Sequence, residues 1–393
     1  MDMHTDPPPA HQTGRTRTRT VGKIPRPHGC QGIGLVFQGG GALGAYQAGV
    51  YQALHEAGLE PDWVAGVSIG AINAAIIAGN KPEDRVRKLE RFWLDITSRD
   101  PFTQWPEGDA SRMWRNMLSA MNGIMFGQPG FFKPRPAAGF FAPRGSRAAT
   151  ALYDTAPLRQ TLHKLVDFNL INDGPMRFAV GAVEVTSANF AYFDNRHTEI
   201  APEHIMASGA LPPGLPMIRI GQHYYWDGGL VSNTPLQHLL DNLGSTSMLV
   251  FQVDLFSASG NIPRDMPEVL SRAKDIQYSS RTRTTTDHFL QTHRLRQALG
   301  EALHLVPDEL LNQEQREQKA SLDRLPEINI MQLIYQQKAY EGDAKDYEFS
   351  RISMKEHWRT GYYDTCNTLH HQDWLKFNGT GGIRSFDIHR TGE

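Results

Sequence analysis

The chain has 393 residues, of which 40% are hydrophobic, and its 40 basic and 42 acidic side chains give a formal net charge of -2. This length and apolar content predict a globular protein of two or three domains, or one large α/β domain with an extension, and exclude a collagen, a coiled coil or a wholly disordered chain. The charge balance argues against a dedicated nucleic-acid-binding protein, which would normally carry a clear basic excess. The two cysteines, Cys30 and Cys366, are too few for a disulfide framework or a four-cysteine zinc site, and they fit a reducing compartment, although a single bridge stays open.

Residues 1–29 are rich in proline and arginine and predict a solvated, disordered arm. No apolar segment follows the basic residues, so a secretory signal peptide is not expected. Two uncharged stretches, residues 27–55 and 63–80, are too rich in glycine and amide residues for a membrane-spanning helix. Both are typical of buried strand–turn–helix units in a parallel sheet. We therefore expect a cytoplasmic protein without a transmembrane segment, and peripheral contact with a membrane remains open.

The hydrophobic pattern up to residue 260 alternates between strand and helix periods. In chain order it predicts a strand over 32–37, a helix over 42–57, a strand over 62–67, a helix opening at 68, a helix over 83–97, an irregular insertion over 98–150, a helix over 158–165, strands over 177–185 and 192–194, a helix over 203–209, a hairpin of 217–220 with 224–226, a helix over 236–243 and a strand over 248–255. This alternation predicts an α/β fold with a largely parallel sheet.

Beyond residue 263, charged and amide residues dominate. Helical patterns run from 269 to 305, a strand is expected over 328–335, and a last helix over 354–375. The basic side chains of 269–305 favour a solvated helical face over a surface for anionic lipid or a partner. The chain therefore divides into the arm 1–29, a catalytic domain 30–260 that includes the insertion 98–150, and a mainly helical C-terminal extension 261–393.

The insertion combines phenylalanine with arginine and lysine between residues 126 and 147. Such a segment can act as a lid or an interfacial patch, because aromatic rings enter the headgroup region while basic side chains meet phosphates. The alternative, which we favour slightly, is a loop that folds its phenylalanines onto the core.

The first motif is the glycine run Gly39-Gly40-Gly41, between the first strand and the first helix. Consecutive glycines let backbone N–H groups converge on one point, and the helix N-terminus adds positive potential there. The loop therefore predicts a site for an anion, either a phosphate or the oxyanion of a tetrahedral intermediate. The run also fits the dinucleotide fingerprint, but that reading needs an acidic residue at the end of the second strand. That strand leads into Ser68, and Asp62 lies at its beginning rather than at its end, so dinucleotide binding is disfavoured.

The second motif, Gly66-Val67-Ser68-Ile69-Gly70, is a G-x-S-x-G sequence between a strand and a helix, as a nucleophile elbow requires. The third is Asp227-Gly228-Gly229, which places a carboxylate at a strand end. A serine needs an adjacent base to act as a nucleophile, and Asp227 is the candidate. Alternatives are a helix N-cap for Ser68 and an Asx turn for Asp227.

Two further side chains, His238 and Asn73, lie near these motifs in the sequence. His238 could complete a Ser–Asp–His order as in α/β-hydrolases, but it lies in a helical pattern and is disfavoured. Asn73, one turn after the elbow, is expected to pack or to cap.

Through these three motifs, residues 31–260 resemble the patatin-like phospholipases, and Ala207–Ala210 with Pro212-Pro213 are similar as well. The resemblance implies a three-layer α/β/α fold with a mostly parallel central sheet. It also implies that Ser68 is the nucleophile and Asp227 the base of a dyad, and that Gly39, Gly40 and Gly41 supply oxyanion N–H groups. Gln38 and Leu43 depart from the family, which often has Asp or Ser, and Arg or Lys, at these positions. Because the oxyanion hole uses main-chain donors, we expect altered tuning rather than lost activity.

The implied reaction is hydrolysis of a fatty acyl ester through an acyl-serine, on a lipid or acyl-ester substrate, without a cofactor or metal. Asp227 can serve as the base only in a partly desolvated site, because the ordinary pKa of an aspartate is about 3.9. A thioesterase, an acylglycerol or polyester hydrolase or acyltransferase, and a non-catalytic lipid-binding scaffold remain alternatives. The segment Asp346–Arg351, with His357-Trp358 and Gly361-Tyr362, resembles an extension in a bacterial subset of the family, and no mechanism follows for it. The sequence does not indicate an oligomeric state.

Overall fold

The computed structural model describes residues 22–97, 108–135, 139–280, 282–322, 325–338, 340–371, 373–379 and 381–387. Its strands are β1 (Gly32–Phe37), β2 (Trp63–Val67), β3 (Lys133–Pro134), β4 (Tyr153–Asp154), β5 (Arg177–Glu184), β6 (Phe190–Asp194), β7 (Ile218–Ile220), β8 (His223–Asp227), β9 (Met248–Asp254), β10 (Glu327–Ile334) and β11 (Gly382–Asp387). Its helices are α1 (Ala45–Ala57), α2 (Ile69–Ala78), α3 (Pro82–Ile96), α4 (Asp109–Phe126), α5 (Ala156–Leu165), α6 (Phe168–Asp173), α7 (Pro202–Ser208), α8 (Leu236–Asp241), α9 (Met266–Tyr278), α10 (Thr282–His304), α11 (Gln313–Leu322) and α12 (Arg351–His370). All but the last residues of the predicted arm lie outside the described ranges.

A mixed sheet of nine strands, counted over the described residues, forms the centre of the fold in the order β11-β10-β9-β1-β2-β5-β8-β7, with β6 also pairing β5. The strands from β11 to β5 in this order pair in parallel. β6 and β8 each pair with β5 in the antiparallel sense, and β7 pairs with β8 in the same sense. Along β1, Leu35 and Phe37 join one apolar cluster and Val36 joins another, so both faces of the strand are buried. Helices cover both faces, as a parallel sheet requires. The predicted α/β fold with a mostly parallel sheet is confirmed.

The strand register explains how the predicted site residues come together. The turns after β1 and β2 lie at the same edge of the sheet, because the two strands are parallel. Val67 at the end of β2 pairs with Gly181 on β5, and Asp227 at the end of β8 pairs with Ala182, the next residue of β5. A single strand therefore separates the end of β2 from the end of β8.

The insertion after α3 contains a regular helix, α4, of 18 residues. The prediction of an irregular insertion over 98–150 is wrong for this part, because the prolines flank residues 109–126 and leave a run of good helix formers uninterrupted. Phe131 is buried against Phe349, with ring centroids 6.0 Å apart, and Phe132 packs on Tyr153 at 4.8 Å. These two rings therefore pack on other residues of the protein, as the second interpretation of the insertion predicts, and do not form an interfacial patch.

The C-terminal region is helical and also completes the central sheet. β10 pairs with β9 from Ile328↔Met248 to Ile334↔Asp254, so the sheet continues across the domain boundary that the sequence predicts near residue 260. Helix α12 packs closely on α1. A Cβ atom on Gly361 would lie 2.1 Å from the carbonyl oxygen of Tyr46, so only glycine allows this contact. The helix that follows the glycine run is thus held in place by the C-terminal region.

Candidate active site

Ser68 occupies a strained turn between β2 and α2. Its backbone has φ 56° and ψ -124°, which costs a residue other than glycine about 1–3 kcal/mol. The flanking glycines are required by contact, because a Cβ on Gly66 would lie 2.3 Å from the carbonyl oxygen of Gly70, and one on Gly70 would lie 2.6 Å from that of Phe37. The Ser68 side chain makes no capping hydrogen bond to α2, so the N-cap alternative fails. The geometry is that of a nucleophile elbow.

Ser208, a fully buried residue at the end of α7, fixes the backbone of the elbow by hydrogen bonds. The Ser68 N–H donates to the Ser208 hydroxyl oxygen at 3.0 Å, and that hydroxyl donates to the Gly181 carbonyl at 2.6 Å. Ser208 lies in the segment Ala207–Ala210 that the sequence marked by resemblance, but without a role. It links the elbow to the strand β5 that separates Ser68 from Asp227.

Asp227 is buried at the end of β8, and its carboxylate accepts a hydrogen bond from the Gly229 N–H at 2.8 Å. The Asx turn expected as an alternative is therefore present, but it uses one oxygen only. Burial raises the pKa of Asp227 to about 7, and hydrogen bonds from the Ser68 hydroxyl and the Gly229 N–H oppose this shift. A carboxylate with such a pKa can accept a proton from the serine near neutral pH.

The glycine loop differs from the prediction at one position. The Gly39 N–H donates to the carbonyl oxygen of Asn233 at 3.1 Å, so in this conformation it is not available to an oxyanion. Gly40 and Gly41 are partly exposed, and among the described residues no acceptor is found for either N–H. Gly41 has φ 53°, and a Cβ there would lie 1.9 Å from the carbonyl oxygen of Asp346. In this loop the amides of Gly40 and Gly41 are thus the ones left to bind a further acceptor.

Asn233 connects the glycine loop with the turn after Asp227, and sequence reasoning missed it. Its buried side-chain amide donates to the carbonyl of Gly39 at 3.0 Å and to that of Tyr278 at 2.9 Å. Burial raises the pKa of Tyr278, and so does the negative charge of Asp227. Tyr278 therefore lies near this carboxylate. No local sequence pattern around Asn233 indicates that its side chain binds the glycine loop.

Asp346 from the C-terminal region supports the glycine loop from outside. Its carbonyl accepts the Ala42 N–H at 2.7 Å, and its carboxylate pairs with Lys274 at 2.8 Å. Burial raises the pKa of Asp346, and the charge of Lys274 opposes this shift. The sequence singled out the segment that begins at Asp346 without assigning it a mechanism. The structure gives this segment a place against the loop.

The two departures from the family pattern are both buried. The Gln38 side chain accepts the N–H groups of Leu255 and Phe256 at 2.6 and 2.9 Å and donates to the Thr234 hydroxyl at 3.0 Å. Leu43 is fully buried. Gln38 therefore joins the end of β1 to the chain after β9.

The other candidate side chains lie outside the site. His238 forms an ion-pair contact with Asp194 at 3.0 Å and stacks on Tyr192, so it does not complete a triad with Asp227. Asn73 packs by donating to the carbonyl of Gly44 at 2.9 Å.

Neither a cluster of metal-binding side chains nor a membrane-spanning helix is found among the described residues, and the cysteines are unbridged. Cys30 and Cys366 are free and buried. Within the described ranges, no cluster of three histidine, cysteine, aspartate or glutamate residues could bind a metal ion. Nor does any helix there combine the length and apolarity needed to cross a membrane.

Two family models match this chain. One, described as patatin-like phospholipase, matches residues 35–240, and the other, described as patatin phospholipase, matches residues 276–379. The first covers more than half of the chain and includes the glycine loop, Ser68 and Asp227. The second covers α12 and the segment that contains Asp346.

Curated relatives are similar over parts of the chain. Lysophospholipase NTE1 of Cryptococcus neoformans is 27% identical over 248 residues, which cover 61% of this chain and 12% of that protein. Neuropathy target esterase sws of Drosophila melanogaster is 44% identical over 61 residues, covering 16% of this chain and 4% of that protein. The chain therefore spans a small part of the length of these relatives. Among solved structures, VipD from Legionella pneumophila matches with a TM-score of 0.38 and 16% identity, over 86% of this chain and 67% of that chain.

Proposed function

The chain belongs to the patatin-like phospholipase family, and from this premise we propose that it hydrolyses fatty acyl esters of lipids through Ser68 and Asp227. The strongest single support is that the Ser68 hydroxyl lies close enough to the buried Asp227 carboxylate to lower its pKa, which burial raises to about 7. Ionising this buried carboxyl lowers the stability of the fold, and no ion pair with a described residue compensates the cost. Such a strongly shifted group is typical of a catalytic site. The partly exposed Ser68 lies at a helix N-terminus, where an incoming ester can reach it.

In the acylation half-reaction, Asp227 accepts the hydroxyl proton while Ser68 Oγ attacks the ester carbonyl carbon. The carbonyl oxygen becomes an oxyanion that the Gly40 and Gly41 N–H groups stabilise. The tetrahedral intermediate then collapses, and the alcohol leaves with the proton that Asp227 returns. The product is an acyl-serine on Ser68 and a free alcohol.

In the deacylation half-reaction, Asp227 takes a proton from water as the water oxygen attacks the acyl carbon. The same two amides hold the second oxyanion. Collapse releases the fatty acid, and the proton returns to Ser68 Oγ, which restores the starting state. Asp227 therefore acts as base and acid in turn, for which a pKa close to the working pH is best suited.

For the substrate we propose a phospholipid or lysophospholipid acyl ester, because three of the curated relatives carry the name lysophospholipase. The same dyad would serve thioesters, acylglycerols, polyesters or acyl transfer. A panel of these acyl donors at equal chain length separates the alternatives by their kcat/KM values. A non-catalytic scaffold is disfavoured, because it would have no use for a buried carboxylate beside an accessible serine.

The direct experiment is labelling with a fluorophosphonate probe, together with hydrolysis of p-nitrophenyl butyrate. We expect wild type to label and to turn over, Ser68→Ala to do neither, and Asp227→Asn to lose turnover. Ser187→Ala is the matched control, because Ser187 is an exposed serine in the turn after β5. Labelling of Ser68→Ala at the wild-type rate, or full turnover by Asp227→Asn, would contradict the proposal.

A further inference from the structure

Helix α4 turns its large apolar side chains outward, and none of its buried positions carries a large apolar side chain. Its inward positions are Arg115, Asn116, Ala120 and Gly123. Between residues 113 and 126, eight of the nine exposed residues are large and apolar, and the ninth is Asn122; the eight are Met113, Trp114, Met117, Leu118, Met121, Ile124, Met125 and Phe126. A surface helix of a protein in water normally shows the opposite arrangement. The outward face of α4 is therefore suited to an apolar surrounding.

Helix α9 shows the same reversal. Over residues 269–277 its exposed side chains carry no charge; they are Val269, Leu270, Ala273, Ile276 and Gln277. The charged side chains point to the protein and are paired there. Lys274 bonds to Asp346, Asp275 to Lys345 at 2.5 Å, and the Arg272 guanidinium to two backbone carbonyls.

Both helices are attached to the candidate active site. α9 ends at Tyr278, whose carbonyl accepts the Asn233 amide beside Gly39. The inward Gly123 of α4 faces Tyr347, the residue after Asp346, since a Cβ on this glycine would lie 3.8 Å from the Tyr347 carbonyl oxygen. The segment that supports the glycine loop is thus the one against which both helices pack.

The turn after Asp227 also exposes apolar side chains. Leu230 and Val231 are exposed, although both are apolar. We call the outward faces of α4 and α9, with Leu230 and Val231, the apolar collar.

We propose that the apolar collar rests on a phospholipid surface and that the acyl ester passes from that surface to Ser68. This inference deepens the proposed function and depends on it for the substrate. A lipid surface suits the collar better than a second copy of the chain, because the substrate of the proposed function is itself a component of such a surface. Trp114, whose exposed fraction is 62%, is a residue type that favours the membrane–water interface. Helices with one apolar face lie in the plane of that interface.

The composition of the collar also predicts which lipid it needs. Since residues 113–126 and 269–277 expose no charged side chain, apolar burial rather than charge attraction must supply the affinity. We therefore expect similar binding to vesicles of pure phosphatidylcholine and to vesicles that contain anionic phosphatidylglycerol. Raising the salt concentration should change the binding little.

The test is flotation of the full chain with phosphatidylcholine vesicles. Two variants place charges on the collar, Met117→Glu with Met121→Glu, and Leu270→Glu with Ile276→Glu. Each pair should weaken vesicle binding about a hundredfold, because each buried apolar side chain contributes about a factor of ten. Hydrolysis of soluble p-nitrophenyl butyrate should stay at the wild-type rate, which also shows that the variants fold. The matched control is Leu305→Glu with Leu310→Glu, two apolar residues outside the collar with exposed fractions of 86% and 75%.

Several outcomes overturn the inference. Collar variants that bind vesicles as tightly as wild type would do so, and so would a control pair that loses binding equally. Ultracentrifugation adds another outcome: a wild-type dimer that becomes monomeric in the collar variants, with no vesicle binding in wild type, assigns the surface to a second copy. Failure of the proposed function gives a different result, because vesicle binding is measured without turnover. A wild type that floats through its collar but neither labels nor hydrolyses esters supports the lipid contact and removes the enzyme.

Discussion

Protonation of Asp227 should govern the rate of ester hydrolysis. Burial raises the pKa of this carboxyl to about 7, and only the deprotonated form can accept the Ser68 proton. Below that pH the carboxylate fraction falls about tenfold for each pH unit, so kcat/KM for a soluble ester should rise about tenfold per unit and level off above pH 7. Asp227→Asn should reduce kcat by about 10²–10⁴, the usual contribution of a general base.

The same group should lower the stability of the folded protein at neutral pH. The pKa of Asp227 rises from 3.8 to about 7, and each pKa unit corresponds to about 1.36 kcal/mol. Between these two pH values the folded state keeps a proton that the unfolded state has released, so the unfolding free energy falls as the pH rises, by about 4 kcal/mol in total. Asp227→Asn removes the charge. We therefore expect it to be more stable than wild type by up to about 4 kcal/mol at pH 8, and equal to wild type near pH 4.

Urea unfolding of both proteins at pH 4, 6 and 8, with pH–rate profiles over the same range, checks both effects. The control is Asp254→Asn. Burial raises the pKa of Asp254 to about 6, but its carboxylate accepts hydrogen bonds from Ser280, Gln252 and Thr234 rather than from Ser68. We expect this control to leave the midpoint of the rate profile unchanged. A rate independent of pH between 5 and 8, or an Asp227→Asn variant less stable than wild type at pH 8, would refute the reasoning.

Three further substitutions test the supports of the site. Gly41→Ala should lower kcat by about 10²–10³, because its Cβ would collide with the Asp346 carbonyl and displace an oxyanion donor; steady-state kinetics measures this, and an unchanged kcat would contradict it. Ser208→Ala should destabilise the fold by about 1–3 kcal/mol in urea, because the buried Ser68 N–H loses its acceptor, and wild-type stability would argue against this role. Gly361→Val should cost about 3 kcal/mol by separating α12 from α1, and an unchanged thermal midpoint would rule that out.

The parts of the site that the sequence could predict are those governed by local steric rules. Gly66 and Gly70 flank Ser68 because the neighbouring backbone leaves no room for a Cβ, and such a requirement shows in a five-residue motif. The buried parallel strands are likewise visible as short apolar runs between glycine-rich turns. The alternation of strands and helices then follows without knowledge of contacts distant in the chain.

The parts that the sequence could not predict depend on partners far away in the chain. The Gly39 N–H is engaged by Asn233, and nothing near Asn233 indicates that partner. Ser208 and Asp346 lay in segments marked by resemblance, but their hydrogen bonds to the elbow and to the glycine loop are tertiary contacts. Helix α4 was missed because its flanks are rich in proline and because its apolar residues face outward, which periodicity alone cannot reveal.

The position of Asp346 against the glycine loop has a consequence for the order in which the enzyme is made. A ribosome releases the serine, the aspartate and the glycine loop well before it releases the Asp346 carbonyl that accepts the Ala42 N–H of that loop. Nascent chains that end before Asp346 should therefore fail to react with a fluorophosphonate, and reactivity should appear only when translation has passed this residue. Such timing would keep an unfinished hydrolase away from the lipids of the cell that is producing it.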